Sequence, residues 1–192
     1  MEPVRRGALP DGLYGAELER RIDEAAVFVR ERLATEPSLG TPTLGFVLGS
    51  GLGGVVELLE PEPRVRIPYR DIPNVPGSEV EGHAGEVVIG RAADASVLVL
   101  SGRAHPYEGW SQRQATLLLR AVLTLGIETV VLTNASGGVN PEYDPGDVMV
   151  IGDTINLSGE NPLLGTLGAD AVGMSTVHEL LVARHIDRKS VV

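Results

Sequence analysis

Three short segments of this chain bring glycines together with side chains able to hold an anion. Gly49-Ser50-Gly51-Leu52-Gly53-Gly54 follows the apolar run Leu44-Gly45-Phe46-Val47-Leu48. Glycines let backbone N–H groups come close to an oxyanion, and Ser50 adds a hydroxyl donor. A helix opening directly behind the loop would add the positive end of its dipole. Ser101-Gly102-Arg103-Ala104-His105-Pro106-Tyr107-Glu108-Gly109 follows a second apolar run, Ser96-Val97-Leu98-Val99-Leu100. Arg103 carries a planar fork of donors that matches phosphate, and His105 stands two residues on. Asn134-Ala135-Ser136-Gly137-Gly138 follows Thr129-Val130-Val131-Leu132-Thr133 and offers backbone donors and a side-chain amide. A fourth segment, Gly82-His83-Ala84-Gly85, places a histidine on a loop.

Each segment also has a plainer reading. Small residues suit tight turns, Arg103 suits a surface ion pair, and His105 suits a hydrogen-bonded structural histidine. His83 suits a loop residue of no catalytic weight. A cation and an imidazole together at the end of an apolar strand favour function for the second loop. The first loop also matches the G-x-G-x-x-G dinucleotide pattern. That pattern expects an acidic residue about twenty positions on, at the end of a second strand. The nearest candidate, Asp71, falls in a stretch rich in proline.

The elements that would position these loops can be read from periodicity. Leu18, Ile22, Ala25, Ala26, Val29 and Leu33 share one face of a helix. Strands are expected at 44–48, 86–90, 96–100 and 129–133, with one more over Asp147–Ile151. A short helix is expected over Val55–Leu59, and the proline-rich stretch 61–82 reads as loop with brief extended pieces. Ser111 with Gln114 forms a capping box that opens a helix running to Leu125 and closed by Gly126. Thr176 with Glu179 is a second capping box. Alternating strands and helices give an α/β fold class in a single domain over 1–192, with 1–12 loose; a mixed central sheet flanked by helices is what the family resemblance set out below implies. In such folds ligands bind beyond the carboxyl ends of the strands, where all three glycine loops lie.

Composition narrows the function. The chain has 192 residues and a net charge of −10, which argues against a nucleic-acid partner. It holds no cysteine, so neither a disulfide framework nor a thiolate site is available. Four histidines without paired carboxylates do not make a metal site. No apolar stretch reaches the length of a membrane span, and no signal peptide is read at the N-terminus. A cytoplasmic protein without a membrane partner is expected.

Five motifs in order resemble the trimeric purine nucleoside phosphorylases: Leu48-Gly49-Ser50-Gly51-Leu52-Gly53, Gly82-His83-Ala84-Gly85, Gly102-Arg103-x-His105-x-Tyr107-Glu108-Gly109, Thr133-Asn134-Ala135-x-Gly137-Gly138 and Gly173-Met174-Ser175-Thr176-Val177. The resemblance spans about residues 13–185. It implies that Ser50, Arg103, His105, the backbone of Ala135, and Ser175 hold phosphate, with His83 on a loop nearby. It implies that Tyr107, Met174, Gly173 and Asn134 face the ribose or nucleoside, and that Arg103 and His105 carry the catalytic work. Inorganic phosphate is the co-substrate, a purine nucleoside the substrate, and no cofactor or metal is needed. The assembly implied is a homotrimer. Methylthioadenosine phosphorylase is the nearest alternative, and a non-catalytic anion-binding or subunit-interaction paralogue the alternative from another class.

The chain also departs from that family. Leu163-Leu164-Gly165-Thr166 runs almost directly into Leu167-Gly168-Ala169-Asp170, where the family carries a long segment that supplies part of the purine pocket. His178 stands where the family usually has proline, and the tail 186–192 does not resemble the family's continuation. A phosphate half without most of the purine half is expected to make a poor catalyst and a marginal fold.

Overall fold

Strand β1 (Leu44–Leu48) is the centre of the molecule, and the first glycine loop leaves from its end. The computed structural model describes residue 13, residues 15–77, 85–138 and 140–152, residues 179 and 182, and residues 189–191. Around β1 lie β2 (Val65–Pro68), β3 (Glu86–Ala92), β4 (Ala95–Ser101), β5 (Thr129–Leu132) and β6 (Lys189–Val191), in the sheet order β2-β3-β4-β1-β5-β6. The first three strands of that order pair antiparallel, while β4, β1, β5 and β6 run parallel. The sheet is therefore mixed, as the sequence predicts.

Both faces of the sheet are buried, and the strand residues alternate between them as a period of two requires. Val47, Val87, Ile89, Leu98, Leu100, Val130 and Leu132 face one core, shared with helix α1 (Gly15–Ala34) and helix α3 (Leu117–Leu123). Leu48, Val88, Val97 and Val99 face a second core, closed by Val56 and Leu59. In α1 the buried stripe is Ala25, Ala26 and Val29, with Ile22 and Leu33 packed at its edge. The opposite side of α1 carries Arg20 and Arg21 paired with Glu17 and, for Arg20, Glu24.

The capping box at Ser111 is present: Gln114 N–H donates to Ser111 Oγ at 3.2 Å, and Ser111 N–H donates to Gln114 Oε1 at 2.9 Å. The helix it opens differs from the expectation in one respect. It is interrupted at Thr116, so that α2 (Gln112–Ala115) and α3 are separate turns. Thr116 Oγ1–H donates to the Gln112 carbonyl at 2.8 Å, sharing it with the Thr116 backbone N–H at 3.0 Å. Gly126, at φ +116°, ends the segment in a conformation that suits glycine.

Two other expectations need correction. Val55–Leu59 is not an α-helix; Gly53–Leu58 forms a tighter 3-10 turn. Two glycines, two β-branched valines and Pro61 just beyond leave too little helix-forming sequence for an α-helical nucleus. Asp147–Ile151 is not a strand. Val148 is 96% exposed, and the outer side of β5 is taken instead by β6. β6 lies within the tail that the sequence leaves without a role. Of the brief extended pieces expected within 61–82, Val65–Pro68 makes a regular antiparallel pair with β3. The second capping box rests on Thr176, outside the described residues.

Candidate active site

The register of the parallel strands brings the three glycine loops together. Leu48 pairs with Ser101 on one side of β1, and Val47 pairs with Leu132 on the other. The carboxyl ends of β4, β1 and β5 are thus level and adjacent, and the segments starting at Gly49, Gly102 and Thr133 leave from neighbouring points. This is the position at which open α/β sheets bind ligands.

The first and third loops are tied directly. Gly49 N–H donates to Thr133 Oγ1 at 2.9 Å, and Thr133 Oγ1–H donates to the Val47 carbonyl at 3.0 Å. Thr133 N–H donates to the same carbonyl at 3.1 Å. A Cβ at Gly49 would lie 2.8 Å from Asn134 Cα and 2.8 Å from the Thr133 carbonyl oxygen, so glycine is required by the approach of one backbone to another. Ser50 is exposed next to this joint. Asn134 Nδ2–H donates to Ser136 Oγ at 2.7 Å, which shapes its own loop, and Ala135 is exposed beside it.

The second loop is anchored from below. Tyr69 O–H donates to the Gly102 carbonyl at 2.7 Å inside the core. Burial holds the Tyr69 phenol well above its ordinary pKa, so it remains a donor there. Gly85 N–H donates to the Ser101 carbonyl at 2.9 Å and Tyr69 N–H to the Gly85 carbonyl at 2.7 Å. Tyr69 and Gly85 thereby fix the point where β4 gives way to Arg103. Sequence reasoning did not single out Tyr69, because its partner is 33 residues away in the chain.

Arg103 and His105 are the buried charged and titratable groups of this loop, 7% and 8% exposed. His105 Nδ1–H donates to Glu108 Oε1 at 2.9 Å, since an ionised carboxylate only accepts. Glu108 Oε1 also accepts the His105 backbone N–H at 2.8 Å. That double contact fixes the ring and selects the tautomer, so that the other ring nitrogen is the one presented away from Glu108. Tyr107, largely exposed, stacks its ring on that of His105 with centroids 4.6 Å apart and planes 16° from parallel. Glu108 therefore sets the orientation of the His105 ring, although the sequence shows it only as part of a motif.

Arg103 faces Glu179, with Nη1 3.8 Å from Oε1 and both side chains 7% exposed. Among the described residues Arg103 Nε and Nη1 have no hydrogen-bond acceptor and Glu179 Oε2 has no donor. Buried donors on a guanidinium call for an explanation, and an anionic ligand supplies one. A cavity of about 20 Å³ adjoins Arg103 and Gly102, room for a water rather than a substrate. A larger concavity of about 760 Å³ runs along α1, where Glu19, Asp23, Glu24 and Glu31 make it unsuited to an anion. Its position away from the strand ends gives it no part in the chemistry.

Ser50, Arg103, His105, Tyr107, Asn134 and Ala135 thus all lie on loops from three adjacent strand ends. His83, Gly173, Met174 and Ser175 lie outside the described residues. Asp71 is in a turn after β2, at the far edge of the sheet and exposed beside Arg70. A dinucleotide fold would put β2 next to β1 and parallel to it, and neither holds here. Among the described residues no cluster of three or more metal-binding side chains occurs. No described helix is long and apolar enough to cross a membrane.

Comparison with known proteins agrees with this geometry. The family model of the phosphorylase superfamily matches residues 43–166, a span that includes all three loops. Purine nucleoside phosphorylase 1 of Geobacillus stearothermophilus is 37% identical, over 85% of this chain and 79% of that protein. Its matched stretch runs to 223 residues, longer than this whole chain. Purine nucleoside phosphorylase 1 of Bacillus subtilis is 44% identical over 80% of the chain, which spans little more than half, 54%, of that protein. Purine nucleoside phosphorylase of Rattus norvegicus is 34% identical over 75% of the chain and 71% of its own length.

Proposed function

We propose that this chain, which belongs to the phosphorylase superfamily and within it to the purine nucleoside phosphorylases, splits purine nucleosides with inorganic phosphate to give the free base and a pentose 1-phosphate. One observation carries the reading: Arg103 is buried at the end of β4 with guanidinium donors that no described residue takes up. Phosphate is the ligand of that site. Arg103 and His105 hold it, together with the hydroxyl of Ser50, the backbone of Ala135, and Ser175. Tyr107 and Asn134, with Gly173 and Met174, face the ribose side.

The chemistry follows from where the charges lie. As the glycosidic bond lengthens, the sugar acquires oxocarbenium character, and a phosphate held against its anomeric carbon stabilises that charge. One phosphate oxygen then forms the new C–O bond while the bond electrons leave with the purine, which takes up a proton. Fixing the anion beside the sugar converts an encounter of two molecules into a reaction within one complex. Glu108 holds the His105 ring so that its other nitrogen meets the anion. No cofactor enters these steps. A cytoplasmic homotrimer is the expected state.

The chain lacks a counterpart to part of the aligned relative, since 85% of 192 residues cannot fill a 223-residue match. That observation favours an impaired enzyme, and it is the ground for a second reading as a non-catalytic anion-binding paralogue. The purified protein should be incubated with inosine, with and without phosphate, and hypoxanthine and ribose 1-phosphate measured. Phosphate-dependent release of both supports the enzyme. Phosphate binding without release supports the paralogue, and neither result would leave the site without its ligand. Sedimentation or light scattering reports the oligomer.

A further inference from the structure

We infer that Glu179 is a positioning residue for Arg103, holding its guanidinium at the end of β4 in the orientation that receives the anion. The inference rests on the phosphate reading of Arg103 given above. A purely structural arginine–carboxylate pair forms two short parallel hydrogen bonds and uses up the donors of the fork. Here the approach is 3.8 Å, too long for a hydrogen bond, while both side chains are 7% exposed. The pair therefore attracts through charge and yet leaves Nε and Nη1 of Arg103, and Oε2 of Glu179, without described hydrogen-bond partners.

Such an arrangement is costly for stability alone, because buried charges need both a partner and hydrogen bonds. It makes sense when a third group completes the bonds. Tyr69 and Gly85 fix the backbone where the second loop begins, through hydrogen bonds to main-chain groups. Glu179 is the one carboxylate paired with that guanidinium among the described residues. Burial pushes the Glu179 carboxyl up, and the charges of Arg103 and, less, His105 draw it back down. The carboxylate and the guanidinium are thus electrostatic partners across 76 positions of chain, a link invisible in the sequence, where Glu179 reads as a helix cap.

The test is calorimetric titration of the full chain with inorganic phosphate, for wild type, Glu179→Leu and Glu179→Gln, with a thermal melt of each. Leucine fills the space without attracting Arg103, so phosphate affinity should fall about tenfold or more while a cooperative melt persists. Glutamine keeps the size and the polar atoms but not the charge, so affinity should fall nearly as far as in the leucine variant, and a glutamine variant that binds like wild type overturns the inference. A merely structural Glu179 would move the melts and leave the affinities equal, which overturns the inference. Should the leucine variant not fold, Glu179→Asp decides. It keeps the charge with its oxygen drawn back by one methylene, so affinity between those of wild type and the glutamine variant supports positioning, and affinity no better than that of the glutamine variant refutes it. Arg103→Ala separates the premise. If wild type and Arg103→Ala bind phosphate equally, the phosphate reading itself is wrong, and the role of Glu179 falls with it.

Discussion

Replacing Gly49 with alanine tests the joint that holds the first and third loops together. The new Cβ would stand 2.8 Å from Asn134 Cα, 2.8 Å from the Thr133 carbonyl oxygen and 3.2 Å from Asn134 N. Optimal carbon contacts lie at about 3.5–4.0 Å, so the two backbones must part by roughly 0.7 Å or more. All three obstacles are main-chain atoms, and no side chain can swing aside. Parting them stretches the 2.9 Å bond from Gly49 N–H to Thr133 Oγ1 as well. Gly49 itself is not in the left-handed region, so torsional strain does not enter. Overpacking of this kind costs about 1–3 kcal/mol. For a domain of this size each kcal/mol lowers the melting temperature by about 2–4 °C, which gives a fall of about 2–12 °C. Gly53→Ala is the control, because a Cβ there meets nothing within 4 Å and its φ is not positive. Melts followed by circular dichroism, with phosphate titration of both variants, make the comparison. If Gly49→Ala melts with wild type, or if Gly53→Ala falls equally far, the close approach of the two loops does not hold as described.

Arg103→Ala should weaken phosphate binding by about 1.5–3 kcal/mol, the worth of a charge-assisted bond, as read by calorimetry. Tyr69→Phe strips the donor from the buried Gly102 carbonyl, and leaving that group unpaired should cost about 1–3 kcal/mol of stability in denaturant titration; an unchanged midpoint would mean that the 2.7 Å bond carries nothing. NAD should show no saturable binding at micromolar concentration, because Asp71 stands at the far edge of the sheet from β1 and cannot reach a ribose held at the first glycine loop. Restoring the family's segment after about residue 165 should raise inosine phosphorolysis by orders of magnitude, since groups on the leaving base act most strongly in the transition state; equal rates would mean that the purine pocket is built from residues already in the chain.

What the sequence reveals here depends on how local the cause is. Leu44–Leu48 and Ser96–Leu100 read as strands because a continuous apolar run between turn residues has few other ways to be buried. The α1 stripe of Ala25, Ala26 and Val29 and the Ser111–Gln114 box depend on neighbours within a few positions, and both are legible. The loop motifs place Arg103 and His105 at a strand end for the same reason. Where partners are distant the sequence is silent. Tyr69 looks like one more residue of a proline-rich loop until Gly102 is seen against it, and Glu179 looks like a cap until Arg103 is. Asp147–Ile151 has the composition of a strand, but pairing decides strands, and the outer side of β5 is taken by β6. Gly53–Leu58 shows the reverse case, where local propensity was too weak for the element expected of it.

The parallel pairing of β6 with β5 sets a timetable for folding. Thr129 is matched with Lys189 and Val131 with Val191, so the connection closes a loop of about sixty residues. Loop closure grows only slowly dearer with length, about 0.6 kcal/mol for each doubling, but it must be met before the three-residue strand returns any gain. Strands β1, β4 and β5 can assemble on α1 and α3 without it, and the long crossing then comes last. During synthesis the outer edge of β5 stays open until residues 189–191 have left the ribosome, at about 5–20 residues per second. Amide hydrogens along that edge should exchange with solvent well before those between β1 and β4, marking the place where the sheet first opens.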